Sequence, residues 1–203
     1  MSGAFPISSA KFQTLGIKSI QNTIISKSVS GKKLARQIDN QRWAFTIRIV
    51  TATRSDVYGE LMAFIVKQRS GKENFTIIPP EVSIARGNVS GTVLVNGVHA
   101  VGDTTITVDA MTGTLKAGDF IKFAGQDKVY MVVADVTADG SNEATVTIEP
   151  PLLVALANDS AVTYDNVPFT VSLITDIQEF GVSGADKDGN LYYEFQFDVE
   201  EAL

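Results

Sequence analysis

The sequence predicts a mainly β protein: a β-sandwich with one flanking α-helix, interrupted by an inserted small β-barrel-like domain. Three observations carry this reading. Short runs that alternate apolar with polar residues recur between glycine-marked turns, a single stretch shows helical spacing, and the composition changes character between Ile84 and Tyr164. With 203 residues, 44% of them hydrophobic, the chain has material for one large domain or two small ones.

The elements follow in order. Phe45–Val50 (FTIRIV) alternates strictly, which predicts a strand with one buried face. Thr104–Val108, Ala144–Ile148 and Tyr193–Val199 read the same way. Phe120–Phe123, Lys128–Ala134 and Phe169–Ile174 are further strands, and Gly125 with Gln126 or Asp127 marks a tight hairpin between the first two. Arg54–Gln68 (RSDVYGELMAFIVKQ) breaks the pattern, because Val57, Leu61, Phe64 and Ile65 stand at i, i+4, i+7 and i+8, one stripe of a helix. Thr53 and Asp56 are expected to cap it, Lys67 and Arg69 suit its C-terminal dipole, and Gly71 is expected to stop it, while Gly59 weakens it slightly. The following strand, Asn74–Ile78, ends at Pro79-Pro80, since proline cannot donate to a ladder.

Residues 84–164 carry frequent glycine, few aromatic residues and acidic turns, whereas long aromatic-rich strands return after Pro168 and are joined by a polar loop over Ser183–Asn190. This predicts one domain made of residues 1–83 and 165–203, with residues 84–164 inserted at an exposed turn. Chain ends that lie close together tolerate such an insertion.

Charge is divided unevenly. From Met1 to Arg86 there are 13 Lys and Arg against 5 Asp and Glu, a balance of +8; from Gly87 to Leu203 there are 4 against 18, a balance of −14. Two faces of opposite sign are expected, suited to a particle whose ends attract each other or to a basic face for nucleic acid. Lys27, Lys32, Lys33, Arg36, Arg42 and Arg48 supply the basic cluster, and the polar stretch Ser26–Asn40 reads as an exposed arm that reaches a neighbouring subunit. No nucleic-acid recognition motif accompanies it.

Few residue types for chemistry are present. The absence of cysteine excludes disulfides, thiolate nucleophiles and thiolate metal sites, and the single histidine, His99, excludes a multi-histidine metal site. His99 with Ser90 and Asp103 lacks a nucleophile-elbow motif, and Glu200-Glu201 reads as a solvated chain end. Asp186, Asp188 and Asn190 alternate like a calcium loop, but Gly189 precedes Asn190 and the twelfth-position glutamate is missing, so a hairpin turn is expected. Gly87–Gly91 (GNVSG) has no P-loop lysine. No catalytic, cofactor-binding or metal-binding residue is assigned, and no enzyme activity, cofactor or metal is expected. No run approaches the ~18 apolar residues that cross a bilayer, and the start MSGAFPISSAKF lacks a signal-peptide core, so a soluble chain is expected.

The segments Gln41–Ile47 (QRWAFTI), Thr53-Arg54 opening a helix, Leu61–Phe64 (LMAF), Gln68–Gly71 (QRSG) and Phe75–Pro80 (FTIIPP) resemble the first half of small tail proteins of long-tailed bacteriophages, in particular distal tail, baseplate and tail-tube-like proteins. The resemblance runs from Ala10 to Pro80, resumes at Pro168–Glu200, and leaves out Ile84–Tyr164. It implies a tail-tube-like β-sandwich whose copies form a ring, often six-fold, around the tail channel. It also implies tail tube and baseplate hub proteins as partners, passage of DNA without sequence reading, and a place in the virion tail after assembly in the host cytoplasm. A head-tail joining or tail-terminator ring shares this architecture. A carbohydrate-binding host-attachment module is the alternative from another class, resting on Phe120, Phe123 and Tyr130. Trp43, Phe45, Phe64 and Phe75 are expected to be packing residues.

Overall fold

The computed structural model describes residues 3–6, 11–38 and 40–203. Ala10, where the resemblance begins, lies outside the described residues. Strands β1 (Phe12–Ile20), β2 (Thr23–Lys27), β3 (Lys33–Gln37) and β4 (Arg42–Thr53) precede helix α1 (Gly59–Lys67) and β5 (Phe75–Ile77). Next come β6 (Leu94–Val95), β7 (Thr105–Asp109), β8 (Thr114–Leu115), β9 (Phe120–Phe123), β10 (Val129–Val132), β11 (Val136–Thr137), β12 (Ala144–Glu149) and β13 (Val162–Thr163). The chain closes with β14 (Phe169–Leu173), β15 (Gly181–Ala185) and β16 (Leu191–Glu201). The predicted class holds: the protein is mainly β, with one α-helix among the described residues and a nearly closed, barrel-like second sheet.

Both ends of the chain build the first sheet, ordered β1-β4-β16-β14-β5, with β15 also paired to β16. Alternation does the sorting. β4 points Trp43, Phe45, Ile47 and Ile49 to one face, and β16 sets Val199, Phe197 and Phe195 directly opposite the last three. α1 lies on this apolar face through Leu61 and Ile65. Trp43, Phe45 and Phe75 are buried packing residues as expected, while Phe64 is half-buried at the margin, edge-on to Phe5 and Phe75.

The helix departs from its sequence reading at both ends. Arg54–Tyr58 form a wide π turn closed by the Gly59 N–H on the Arg54 carbonyl. A Cβ on Gly59 would come within 2.8 Å of that oxygen, so the glycine that weakens an ideal helix is what admits this turn. The turn also shifts the helical phase and brings Tyr58 fully inside, where its hydroxyl donates to the Val50 carbonyl at 3.3 Å. Thr53 makes no side-chain capping bond, and Asp56 faces Lys11 at 3.8 Å instead. The left-handed residues after the helix are Arg69 (φ 52°) and Ser70 (φ 62°), not Gly71, which is placed against β14, where a Cβ would sit 2.5 Å from the Leu173 carbonyl oxygen.

The second sheet runs β13-β9-β10-β12-β7-β6. It closes because Val95 donates to Ser160 and Val162 donates to Val93, each at 2.9 Å. Ile106, Val108, Ile121, Phe123, Tyr130, Val132, Val146 and Ile148 fill it. The predicted tight turn at Gly125 is a wider loop, since the last strand pair before it is Lys122 with Val129. The predicted polar loop over Ser183–Asn190 begins as strand instead: Gly181–Ala185 pairs with Leu191–Glu194, a glycine-rich edge that carries no apolar alternation to announce it. The two connections between the sheets lie side by side, joined by the Val167 N–H on the Ser83 carbonyl at 3.0 Å.

Candidate assembly surfaces and the buried junction

Apart from Lys122, β9 and β10 are apolar on both faces, and the structure gives each face a core. Ile121, Phe123, Tyr130 and Val132 point into the barrel, while Phe120 and Val129 join the core of the first sheet. Trp43 stands edge-on to Phe120 at 5.0 Å and donates its indole N–H to the Val129 carbonyl at 2.9 Å. Phe120, Phe123 and Tyr130 are thus buried packing residues and form no aromatic platform for a sugar, which removes the observation behind the carbohydrate alternative.

The same contact encloses an ion pair. The Lys128 ammonium lies 2.5 Å from Oε2 of Glu201, and both residues are 2% exposed. Glu201 also accepts the backbone N–H groups of Val129 at 2.7 Å and Trp43 at 3.2 Å, and Lys128 donates to the Gln41 side-chain carbonyl at 2.8 Å. Burial pushes the Lys128 pKa down and the Glu201 pKa up, and each charge partly offsets the shift of the other. The expected solvated end at Glu200-Glu201 is therefore corrected. β16 runs on to Glu201, and the alternation that buries Phe195, Phe197 and Val199 buries Glu201 next, leaving Glu200 on the outer face with Arg42 at 2.6 Å. Beside it, the Lys122 ammonium donates to the Pro168 carbonyl at 3.1 Å and to Thr170 at 3.3 Å, so the β9–β10 hairpin grips β14 as well.

The other residues singled out from the sequence are dispersed. Nδ1 of His99 is 3.8 Å from Asp103, its Nε2 accepts the Thr107 N–H at 3.2 Å, and Ser90 bonds Thr112 instead. Asp186 closes the β15–β16 turn by accepting the N–H groups of Asp188 and Asn190 at 2.8 and 2.9 Å. The Asn190 side chain and backbone hydrogen bonds hold the Asp186 carboxyl below its ordinary pKa. The turn contacts are present at neutral pH and are lost as acid takes the carboxyl through that lowered value. Asp186→Ala is expected to speed amide exchange at the ends of β15 and β16 while leaving the global melt nearly unchanged.

The basic cluster divides in two. On the outer face of the sheet Arg42 pairs with Glu200 and Arg48 with Glu194, both at 2.6 Å, and Thr46 bridges Lys18 to Asp198. That face balances its own charge. Lys27, Lys32, Lys33 and Arg36 instead lie on the β2–β3 hairpin, the predicted arm, which pairs with no other strand among the described residues. Every residue of its two strands is exposed, including Ile24, Ile25 and Leu34, and Lys27 stands directly opposite Lys33.

The described residues thus form two sheets with separate cores, an exposed hairpin and a sheet face that balances its own charge. Residues 81–167 match the family described as the B domain of distal tail protein pb9. This match supports a structural role in a phage tail, of the distal tail type. Comparison with curated proteins finds no match. Among the described residues no helix is long and apolar enough to cross a membrane.

Proposed function

We propose that this protein is a ring subunit at the distal end or baseplate of a phage tail. Identical copies contact head to tail, the ring closes around the tail channel, and it joins the tube to the tip. The tail proteins the sequence resembles often form six-fold rings, and the same order is proposed for this one. Tube and baseplate hub proteins meet its two sides, and DNA passes through without sequence reading. Assembly takes place in the host cytoplasm, without membrane insertion, and the chain carries no catalytic role.

The observation that carries this reading is the arm. An isolated two-stranded hairpin is marginal in water, and like charges directly opposite one another weaken it further. An arm of this kind, with exposed isoleucines and a row of cations, is suited to packing against another surface. Residues 84–164 are proposed as an inserted domain, supported by the separate barrel core and by the adjacent strands of chain at Ser83 and Val167.

Antibody labelling of virions that carry this protein is expected to mark the tail tip. Label at the head-tail joint would overturn the distal assignment in favour of a joining or terminator ring. Because screening shortens to ~3 Å near 1 M salt, sedimentation of the purified protein is expected to shift from ring toward monomer as salt rises. Association that strengthens with salt would mean that charge does not orient the contact.

A further inference from the structure

We infer that the β2–β3 arm of one copy docks on the 174–182 segment of the next copy; this rests on the ring reading and names its contact. A head-to-tail ring needs two different patches, on opposite sides of the subunit and complementary in character. The sheet order supplies the placement. The arm continues β1 and returns into β4 at one side of the sheet, its base tied by the Ile38 N–H on the Asn22 carbonyl at 3.0 Å. Segment 174–180 connects β14 to β15, both of which lie beyond β16 on the other side.

The chemistry of the two patches matches in both respects. From Thr23 to Ile38 the arm carries Lys27, Lys32, Lys33 and Arg36 and no carboxylate, with Ile24, Ile25 and Leu34 more than half exposed. From Ile174 to Val182 the other segment carries Asp176 and Glu179 and no cation, with Ile174 and Val182 exposed and Ile177 at 85%. Each patch therefore interleaves exposed aliphatic side chains with charges of one sign, and the signs are opposite. Lys27 and Lys33 repel across the hairpin, and a carboxylate of the neighbour placed between them relieves that repulsion. The sheet's outer face is a poorer receptor, because its carboxylates Glu194, Asp198 and Glu200 already have partners. Among the described residues Asp176 accepts the Ser70 hydroxyl at 2.6 Å, and the Glu179 side chain is exposed.

Complementary charge reversal tests the contact. One variant carries Lys27→Glu, Lys33→Glu and Arg36→Glu, which takes the arm from four cations to three carboxylates and one cation, and the other carries Asp176→Lys and Glu179→Lys, which reverses the segment; thermal melts establish that both fold. Each variant alone is expected to lose association, since it faces its own charge, and an equal mixture is expected to regain it, because every arm then meets a segment of opposite sign. Disulfide capture supplies a second readout, since the chain has no native thiol. Leu34→Cys with Ile177→Cys in one chain is expected to give a ladder of covalent multimers under mild oxidation, and either substitution alone no more than dimers. An associating wild type whose charge-reversed variants also associate alone, or whose double-cysteine variant gives no ladder, overturns this contact and leaves the ring reading standing. A wild type that is monomeric at every salt concentration overturns the ring reading and the contact with it.

Discussion

Lys128→Met is expected to destabilise the protein by about 3 to 5 kcal/mol, the range for removing one member of a buried ion pair and leaving the other uncompensated. Glu201 would remain 2% exposed, hydrogen-bonded to the Val129 and Trp43 backbones but facing no cation. The loss depends on pH with a definite sign. Burial raises the Glu201 carboxyl above 4.5 even with Lys128 present, and more so without it. A carboxyl raised in the folded state contributes its stability below the unfolded value and loses it as pH rises, so the deficit of the variant grows from about 4.5 upward and shrinks in acid. Adding Glu201→Gln to Lys128→Met removes the lone charge and keeps an acceptor for the N–H groups, and the double variant is expected to regain part of the loss. Urea melts followed at Trp43, the single tryptophan, read this junction directly. A Lys128→Met variant as stable as the parent at neutral pH would show that the pair contributes nothing. For the same reason, replacing residues 84–164 with a short linker is expected to weaken what remains, because the linker takes Lys128, Phe120 and Val129 away from Glu201 and Trp43.

The second large effect belongs to the helix. Leu61 is fully buried between α1 and the first sheet, so Leu61→Ala removes its burial and leaves a cavity, at a cost of roughly 2 to 5 kcal/mol. Phe64→Ala is expected to cost less, since that ring lies half-buried at the margin. Glu60→Ala, on the exposed side, should stay within about 0.5 kcal/mol. Denaturant melts that ranked Glu60→Ala with Leu61→Ala would show the face to be wrongly assigned.

Where a physical pattern is strong, the fold was legible in the sequence. The alternation in Phe45–Val50 and Tyr193–Val199, the helical stripe through Leu61 and the proline stop after β5 all appear where local chemistry puts them. The misreadings arise where tertiary contacts decide. Tyr58 is inside because a π turn changed the helical phase, and only the glycine at position 59 hinted at it. Lys128 and Glu201 lie 73 positions apart, so no local window pairs them. Extending the inward set Phe195, Phe197, Val199 by one more step would have marked Glu201 as a buried carboxylate in need of a cation. The functional reading has its own asymmetry. The resemblance to phage tail proteins rests on the flanking residues, whereas the family match falls on residues 81–167, almost the same segment that the resemblance leaves out. Two separate stretches of one chain thus point to the same kind of particle.

Native mass spectrometry of the purified protein at low salt tests the central claim most directly. The account predicts one dominant closed species whose mass is a single whole-number multiple of 21.8 kDa, with few intermediates, because each added copy leaves an arm unsatisfied until the ring closes. A species of 21.8 kDa alone at every concentration, or an unbounded series of oligomers with no preferred size, would contradict it.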